Sequence, residues 1–224
     1  MRPLPDRCRT AAIVSRMSYR LVVLASGEGT LLQQLIDAAQ ASLLGAQIVA
    51  VGADRDGTQA VCRAQAAGIE TFTCRVGDYP DRDYWDRALT DACASFSPDL
   101  VVSAGFLKLL GPLFLGEFSG RCINSHPALL PSFPGLHGVR DALAYGVKVT
   151  GCTVFLVDAG LDSGPVIAQA AVPVHEDDDE ATLTERVKVA ERALLTETVR
   201  AMATGGWSVD GRLVRIGQPG RIPQ

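Results

Sequence analysis

The stretch "YRLVVLASGEGTLLQQLIDAAQA" occupies Tyr19 to Ala41. It begins with a short unbroken apolar run, Tyr19–Ala25, as a strand shows when both of its faces are covered. The glycine-rich turn "SGEGT" follows, and then a helical pattern from about Leu31 to Ala41. A buried strand that feeds a helix through a tight turn is the opening unit of a parallel α/β sheet.

The rest of the chain repeats the alternation. Strand patterns fall at Gln47–Gly52, Thr71–Cys74, Leu100–Ala104 and Arg121–Ser125. Between them, "ADRDGTQA" turns into a helix ending near Gly68. Asp81–Phe96 is amphipathic, with Tyr84, Trp85, Leu89 and Cys93 on one flank, and Lys108–Phe118 reads as a further helix. "LHGVRDALAYG" is a short helix closed by Gly146. Cys152–Val157 and Val166–Val174 read as two strands joined by "DAGLDSGP". After the acidic run Glu176–Glu180 comes a long helix from about Thr182 to Ala203, with Thr182 and Glu185 spaced as a capping box. "WSVDGRLVR" reads as a terminal hairpin turning at Asp210-Gly211. The pattern argues an α/β fold with a mainly parallel sheet. With no internal repeat and no linker, residues 17–224 form one domain. Residues 1–16, with four arginines and one acid, weakly resemble a transit peptide and are read as a disordered extension before a second possible start at Met17.

Composition narrows the function. The chain has 224 residues, 47% of them hydrophobic and 21% charged, an ordinary globular balance. Net charge is −4 with scattered lysines and arginines, so no concentrated basic face is expected and nucleic acid is excluded as a partner. No apolar run approaches the roughly 20 residues of a membrane span. The six cysteines form no CxxC pair, which excludes metal-ligand spacing and suits reduced thiols of a cytoplasmic protein.

Four places carry candidate chemistry. Asn124 and His126 are two apart on a strand, so their side chains share a face, and Pro127 ends the strand beside them. An amide donor and an imidazole side by side can stabilise an oxyanion and move a proton near neutral pH. The plain alternative is a hydrogen-bonded core pair. Pro127, Pro131, Pro134 and Gly135 build a stiff wall next to them. In "DAGLDSGP", Asp158 and Asp162 could orient a histidine, or could serve only the turn. In "ASGEGT", glycines before a helix let backbone N–H groups approach a phosphate. The third glycine of a dinucleotide motif is missing, because Leu32 stands there. Lys188 and Glu191, spaced i,i+3 off the apolar stripe of the long helix, read by default as a solvated ion pair.

Together and in this order, "LASGEGTLLQ", "VSAGFLKLL", "INSHPALLPSFPGLHG" and "LDSGPVIAQ" resemble the formyltransferase family that uses 10-formyltetrahydrofolate. The resemblance covers about Tyr19 to Arg215. It implies a single-domain, Rossmann-like fold: a mainly parallel twisted sheet with helices on both faces and antiparallel C-terminal strands. It implies formyl transfer from 10-formyltetrahydrofolate to the primary amine of 5'-phosphoribosylglycinamide (GAR), with Asn124, His126 and Asp162 as the catalytic trio. Gly29, Thr30 and Leu31 would hold the GAR phosphate with help from Lys188, and Glu191 would lie near the amine or ribose. Leu107, Lys108, Leu109 and Leu110 would line the folate pocket, Arg82 would meet the folate carboxylates, and the loop Asp158, Ala159, Gly160, Leu161 would close over the pteridine. The Leu130-Pro131 bond would be cis. The implied partners are small molecules, with a homodimer also expected, and no metal is implied.

Two departures stand out. Relatives often read G-x-G-S-N where this chain reads Gly27-Glu28-Gly29-Thr30-Leu31, and some carry a histidine where this chain has Phe155. Two related activities are expected not to apply. The methionyl-tRNA formyltransferase adds a C-terminal domain and the formyl-folate hydrolase an N-terminal one, whereas about 20 residues follow the long helix here and about 18 precede the first strand. Transfer to another small amine or hydrolysis of formyl-folate and, from a different class, a non-catalytic folate- or nucleotide-binding module remain the alternatives.

Overall fold

The computed structural model describes residues 18–217; the expected extension, 1–16, lies outside them. In chain order the elements are β1 (Tyr19–Ala25), α1 (Thr30–Gln40), β2 (Ala46–Ala53), α2 (Gln59–Ala66), β3 (Glu70–Thr73), α3 (Arg82–Ala94), β4 (Leu100–Ser103), α4 (Pro112–Glu117), β5 (Cys122–His126), α5 (Gly138–Tyr145), β6 (Val149–Leu156), β7 (Val166–Pro173), α6 (Glu180–Gly205), β8 (Trp207–Asp210) and β9 (Leu213–Ile216). β1 to β7 form one sheet in the order β3-β2-β1-β4-β5-β6-β7. β1 to β5 pair in parallel, and β6 and β7 continue the sheet antiparallel.

The opening stretch forms the expected unit. Leu21, Val22, Val23, Leu24 and Ala25 are fully buried. Leu21 and Val23 join a core with Leu35 and Ile36 of α1 and Leu195 and Val199 of α6. Val22 and Leu24 face Trp85 and Leu89 of α3 and Phe114 of α4 on the opposite side. Strand alternation thus divides one apolar run between two helical layers. On α1, Leu32, Leu35 and Ile36 recur at i, i+3 and i+4, the spacing of one buried stripe.

The order of the strands sets the position of the site. From β1 the chain goes outward to β2 and β3, then returns to the other side of β1 as β4. The connections that leave β1 and β4 therefore diverge, opening a crevice at their C-terminal ends. Ser26 N–H donates to Gly105 O at 3.2 Å and ties these two connections together.

Three elements differ from the sequence reading. The helix expected at Lys108–Phe118 is confined to Pro112–Glu117. Gly105 takes a left-handed φ of 75°, and Pro112 has the fixed φ suited to a first helical position, so residues 105–111 run as an irregular segment. α6 begins at Glu180, and its capping box joins Asp179 with Thr182 rather than Thr182 with Glu185. The terminal hairpin forms, but as a separate two-stranded sheet, anchored by Trp207 Nε1 donating to Gly120 O at 3.1 Å.

The link from β7 to α6 is closed by Arg186, which pairs with both oxygens of the buried Asp178 at 2.7 and 2.8 Å. This fork, reinforced by the His175 N–H, holds the Asp178 carboxyl well below the usual carboxylate range. A depressed folded-state pKa contributes stability above the unfolded value of about 4, and that contribution is lost as pH falls toward the folded value. Asp178→Asn is expected to lower the urea midpoint at pH 7, with the gap to the parent narrowing progressively as pH drops below about 4. A gap that stays constant down to pH 2.5 would contradict this assignment.

Candidate active site

β5 ends at His126, next to the crevice. Cys122 packs with Trp85 and Phe114, so Asn124 and His126, at the same parity, point to the α3/α4 side. Asn124 is half-buried and His126 is buried. The antiparallel pairing sets Asn124 opposite Phe155 and His126 opposite Thr153. Phe155, one of the two departures, is therefore a buried wall directly across from Asn124.

Both ring nitrogens of His126 face oxygen acceptors. Nε2 lies 2.7 Å from Phe133 O, and Nδ1 lies 3.5 Å from Asp162 Oδ2. A doubly protonated imidazolium could donate to both. Asp162 Oδ2 also accepts the Gly135 N–H at 2.8 Å, so one carboxylate ties the proline-rich loop to the loop after β6. Phe133 and Asp162 have φ of 54° and 49°. Left-handed backbone is costly for a bulky residue and persists only where the surroundings impose it.

The proline-rich loop is held from below. Thr153 Oγ1 accepts the Leu130 N–H at 3.0 Å and donates to Ala128 O at 2.7 Å. Gln169 Nε2 donates to Leu130 O at 2.9 Å. The Leu130-Pro131 bond is cis. A Cβ on Gly138 would be a tight fit, 3.1 Å from Pro127 O and 3.2 Å from His126 Nε2, so that a neighbour would have to shift slightly to admit it.

Ser125 points to the other face of β5 and meets Glu191 of α6, its hydroxyl donating to Oε1 at 2.7 Å. Glu191 is buried, which overturns the reading of a solvated pair with Lys188. Lys188 pairs instead with Glu185 at 2.8 Å on the exposed side. Burial pushes the Glu191 carboxyl up, against the opposing effects of the Ser125 hydroxyl and His126.

The turn after β1 presents a helix N-terminus. Gly29 caps α1 in a left-handed conformation with φ 68°, and no side chain caps the helix. A Cβ on Gly29 would lie 2.8 Å from Ala60, so glycine is required by both conformation and space. The carbonyls of the turn are taken from behind. Arg55 donates to Ser26 O at 2.6 and 3.0 Å, Arg63 to Glu28 O at 2.9 Å, and Ala60 N–H to Gly27 O at 3.1 Å. The first N–H groups of α1, from Thr30 and Leu31, have no partner within the helix, the arrangement in which a helix N-terminus can meet an anion.

Across the crevice, Leu107 and Leu109 are exposed, Lys108 and Leu110 are half-buried, and Lys108 Nζ pairs with the buried Asp54 at 2.8 Å. Arg82 reaches this segment: its guanidinium lies over the Trp85 ring at 4.2 Å and donates to Leu109 O. In the loop after β6, Asp158 Oδ1 accepts from Gly160 N–H at 3.1 Å and Ser163 Oγ at 2.7 Å, shaping its own turn. Ala159, Gly160 and Leu161 stay exposed. Arg212 from the hairpin donates to Ser163 O at 3.0 Å.

The structure thus brings Asn124, His126 and Asp162 to one place, and Arg82 to Leu107–Leu110. It does not bring Lys188 to Glu191. Sequence reasoning missed Ser125, Thr153, Gln169, Gly138, Arg55 and Arg63. Thr153 is found only through the β5–β6 register, and Arg55 and Arg63 only once α2 is packed beside the turn. Ser125 could have been found, since it lies between two singled-out residues and must face the other way. Among the described residues no group of His, Cys, Asp and Glu is placed to hold a metal ion, and no helix is long and apolar enough to cross a membrane.

A carboxylate against an imidazole, with an amide on the same face of β5, is an arrangement that can move a proton and stabilise an oxyanion, as group-transfer enzymes require. Residues 19–199 match the formyl transferase family, and the chain belongs to that family. Within it, the chain is similar to phosphoribosylglycinamide formyltransferases. It is 58% identical to that of Mycobacterium tuberculosis over 199 residues, covering 89% of this chain and 92% of the other. It is 39% identical to that of Escherichia coli over 193 residues, covering 86% and 88%. Among solved structures, glycinamide ribonucleotide transformylase 1 from Symbiobacterium toebii superposes with a TM-score of 0.86 at 40% identity, over 88% of this chain and 93% of that one.

Glu191 offers a test of the site's electrostatics. Its folded-state pKa is raised, so its contribution to stability is fully present below the unfolded value of about 4.3 and is lost as pH rises through the folded value. Glu191→Gln keeps an acceptor for the Ser125 hydroxyl and removes the charge. The melting temperature of Glu191→Gln relative to the parent is expected to be higher at pH 7.5 than at pH 4. A difference independent of pH would mean that the carboxyl titrates alike in both states.

Proposed function

We propose that the enzyme transfers the formyl group of 10-formyltetrahydrofolate to the primary amine of GAR, giving formyl-GAR and tetrahydrofolate. The observation that carries this reading is the placing of His126 beside Asn124, with Asp162 against its Nδ1, at the end of β5. The similarity to phosphoribosylglycinamide formyltransferases over nearly nine-tenths of the chain supports the choice of acceptor.

The amine nitrogen attacks the formyl carbon, and the carbonyl oxygen becomes an oxyanion. The Asn124 amide and the protonated His126 ring stabilise that charge, the ring exchanging Phe133 O for the oxyanion as the substrate enters. Asp162, against Nδ1, keeps the imidazole oriented. A proton leaves the attacking amine and reaches N10 of the folate, the C–N10 bond breaks, and tetrahydrofolate departs. Gly29, Thr30 and Leu31 hold the GAR phosphate by backbone N–H groups, and Glu191 receives the amine or ribose. Lys188 contributes only after leaving Glu185, so its part in phosphate binding is secondary. Leu107–Leu110, Arg82 and Asp158–Leu161 hold the folate.

The test mixes the protein with 10-formyltetrahydrofolate, with and without GAR, and follows the loss of formyl-folate absorbance. Turnover is expected only with GAR. His126→Ala is expected to lower kcat by about 10²–10⁴, the range of general acid–base catalysis, and Asn124→Ala by about 10²–10³, the range of one lost oxyanion donor. Turnover without any amine would make the enzyme a hydrolase. Tight folate binding without turnover would make it a binding module or a transferase for a different amine.

A further inference from the structure

Residues 105–111, between β4 and α4, contain the segment assigned to folate, and they have no regular secondary structure. The side chains of Leu107 and Leu109 are 61% and 68% exposed, so packing does not fix them. Phe106, buried and stacked on Trp85, anchors one point of the segment, and hydrogen bonds fix the backbone at its two ends. Ser26 Oγ accepts the Leu107 N–H at 2.9 Å at one end. At the other end stands Asp86 of α3, which is 2% exposed and which the sequence did not mark.

What faces the two Asp86 oxygens is the first turn of α4. Oδ1 accepts from Gly111 N–H at 3.1 Å and Phe114 N–H at 3.3 Å, and Oδ2 from Leu113 N–H at 2.8 Å. Pro112 has no N–H to offer. Gly111 occupies the cap position of α4 without a side chain, so Asp86 caps this helix from a neighbouring one. A Cβ on Gly111 would come within 2.3–2.6 Å of the carboxylate. The glycine is therefore fitted to this contact. A buried carboxylate needs donors around it, and here every donor is a main-chain N–H at the segment's exit or in the first turn of α4.

We propose that Asp86 is a positioning residue for the formyl donor: by fixing Gly111 and the start of α4, it sets the backbone of Leu107–Leu110 for folate recognition. This rests on the assignment of that segment to folate. Its consequence is selective. Loosening the segment at its Gly111 exit weakens formyl-folate binding, while its entry stays tied to the GAR turn through Ser26 and the β5 tip, which Asp86 does not touch, is left as it is.

The experiment measures KM for 10-formyltetrahydrofolate and for GAR separately, with kcat, in Asp86→Ala, Asp86→Asn, Gly111→Ala and the double variant of Ala at both positions. Amide hydrogen exchange of residues 107–110 is followed with and without 10-formyltetrahydrofolate. Asp86→Ala is expected to raise the formyl-folate KM about tenfold, and Asp86→Asn, which keeps one acceptor oxygen, about threefold, with kcat and the GAR KM within about twofold of the parent. Gly111→Ala should match Asp86→Ala, and the double variant should be no worse than either, because both act on one contact. An unchanged formyl-folate KM, or a fall in kcat with both KM values moving together, would overturn the inference. Should Asp86→Ala fail to fold, Asp86→Asn and Gly111→Ala carry the same comparison. Parent protein whose 107–110 amides gain no protection on binding formyl-folate would overturn the folate assignment itself. Protection in the parent with unchanged KM in the variants would overturn only the role of Asp86.

Discussion

His126 is held between two oxygens from two different loops, Phe133 O at 2.7 Å from the loop that follows β5 and Asp162 Oδ2 at 3.5 Å from the loop after β6. Most of the C-terminal half exists in the form needed to keep them there. The antiparallel run β5-β6-β7 supplies Thr153 and Gln169, which pin the proline-rich loop carrying Phe133. The loop after β6 carries Asp162, whose carboxylate reaches back to Gly135. Left-handed backbone at both acceptor residues marks where local preference yields to this arrangement. An imidazole whose two nitrogens both face oxygen atoms has the plane of its ring fixed by its surroundings.

The N-terminal half solves a different problem in a similar way. The turn after β1 and the segment after β4 both face the crevice with backbone groups; in the segment only Phe106 and Leu110 pack into the core, and hydrogen bonds hold the rest. Arg55 and Arg63 take the carbonyls of the turn. Ser26 and Asp86 take the amides of the segment. Recognition by backbone demands such support, because an irregular segment without it would lose its shape to conformational entropy. The strand order makes both supports possible, since the chain reverses direction across the sheet between β1 and β4.

The fold was largely legible in the sequence. Runs such as Tyr19–Ala25 and Leu100–Ala104 are apolar on both faces apart from Arg20 and Ser103, and between turn signals they suit a doubly covered parallel strand. Asn124 and His126 were legible because strand periodicity puts them on one face. Asp162 was only one of two candidate carboxylates in a turn, until the resemblance singled it out and the fold set it against His126. What stayed hidden depended on contacts between distant elements. Glu191 looked like half of a surface pair by helical spacing, and only the crossing of α6 over β5 buries it against Ser125. Asp86 lies on an amphipathic helix among other charged residues, and nothing in its neighbours marks it as the cap of α4. The helix expected from Lys108 failed at Gly111-Pro112, which the residue pattern contained and hydrophobic content outweighed.

The most direct test of the account is a crystal structure of the enzyme with GAR and a non-transferable analogue of 10-formyltetrahydrofolate. The account predicts the glycinamide phosphate on the N–H groups of Gly29–Leu31, the pteridine along Leu107–Leu110, and the carbonyl oxygen of the analogue at roughly 3 Å from the Asn124 amide and the His126 ring. Ligands bound away from the tip of β5, or a carbonyl oxygen directed away from both side chains, would contradict it.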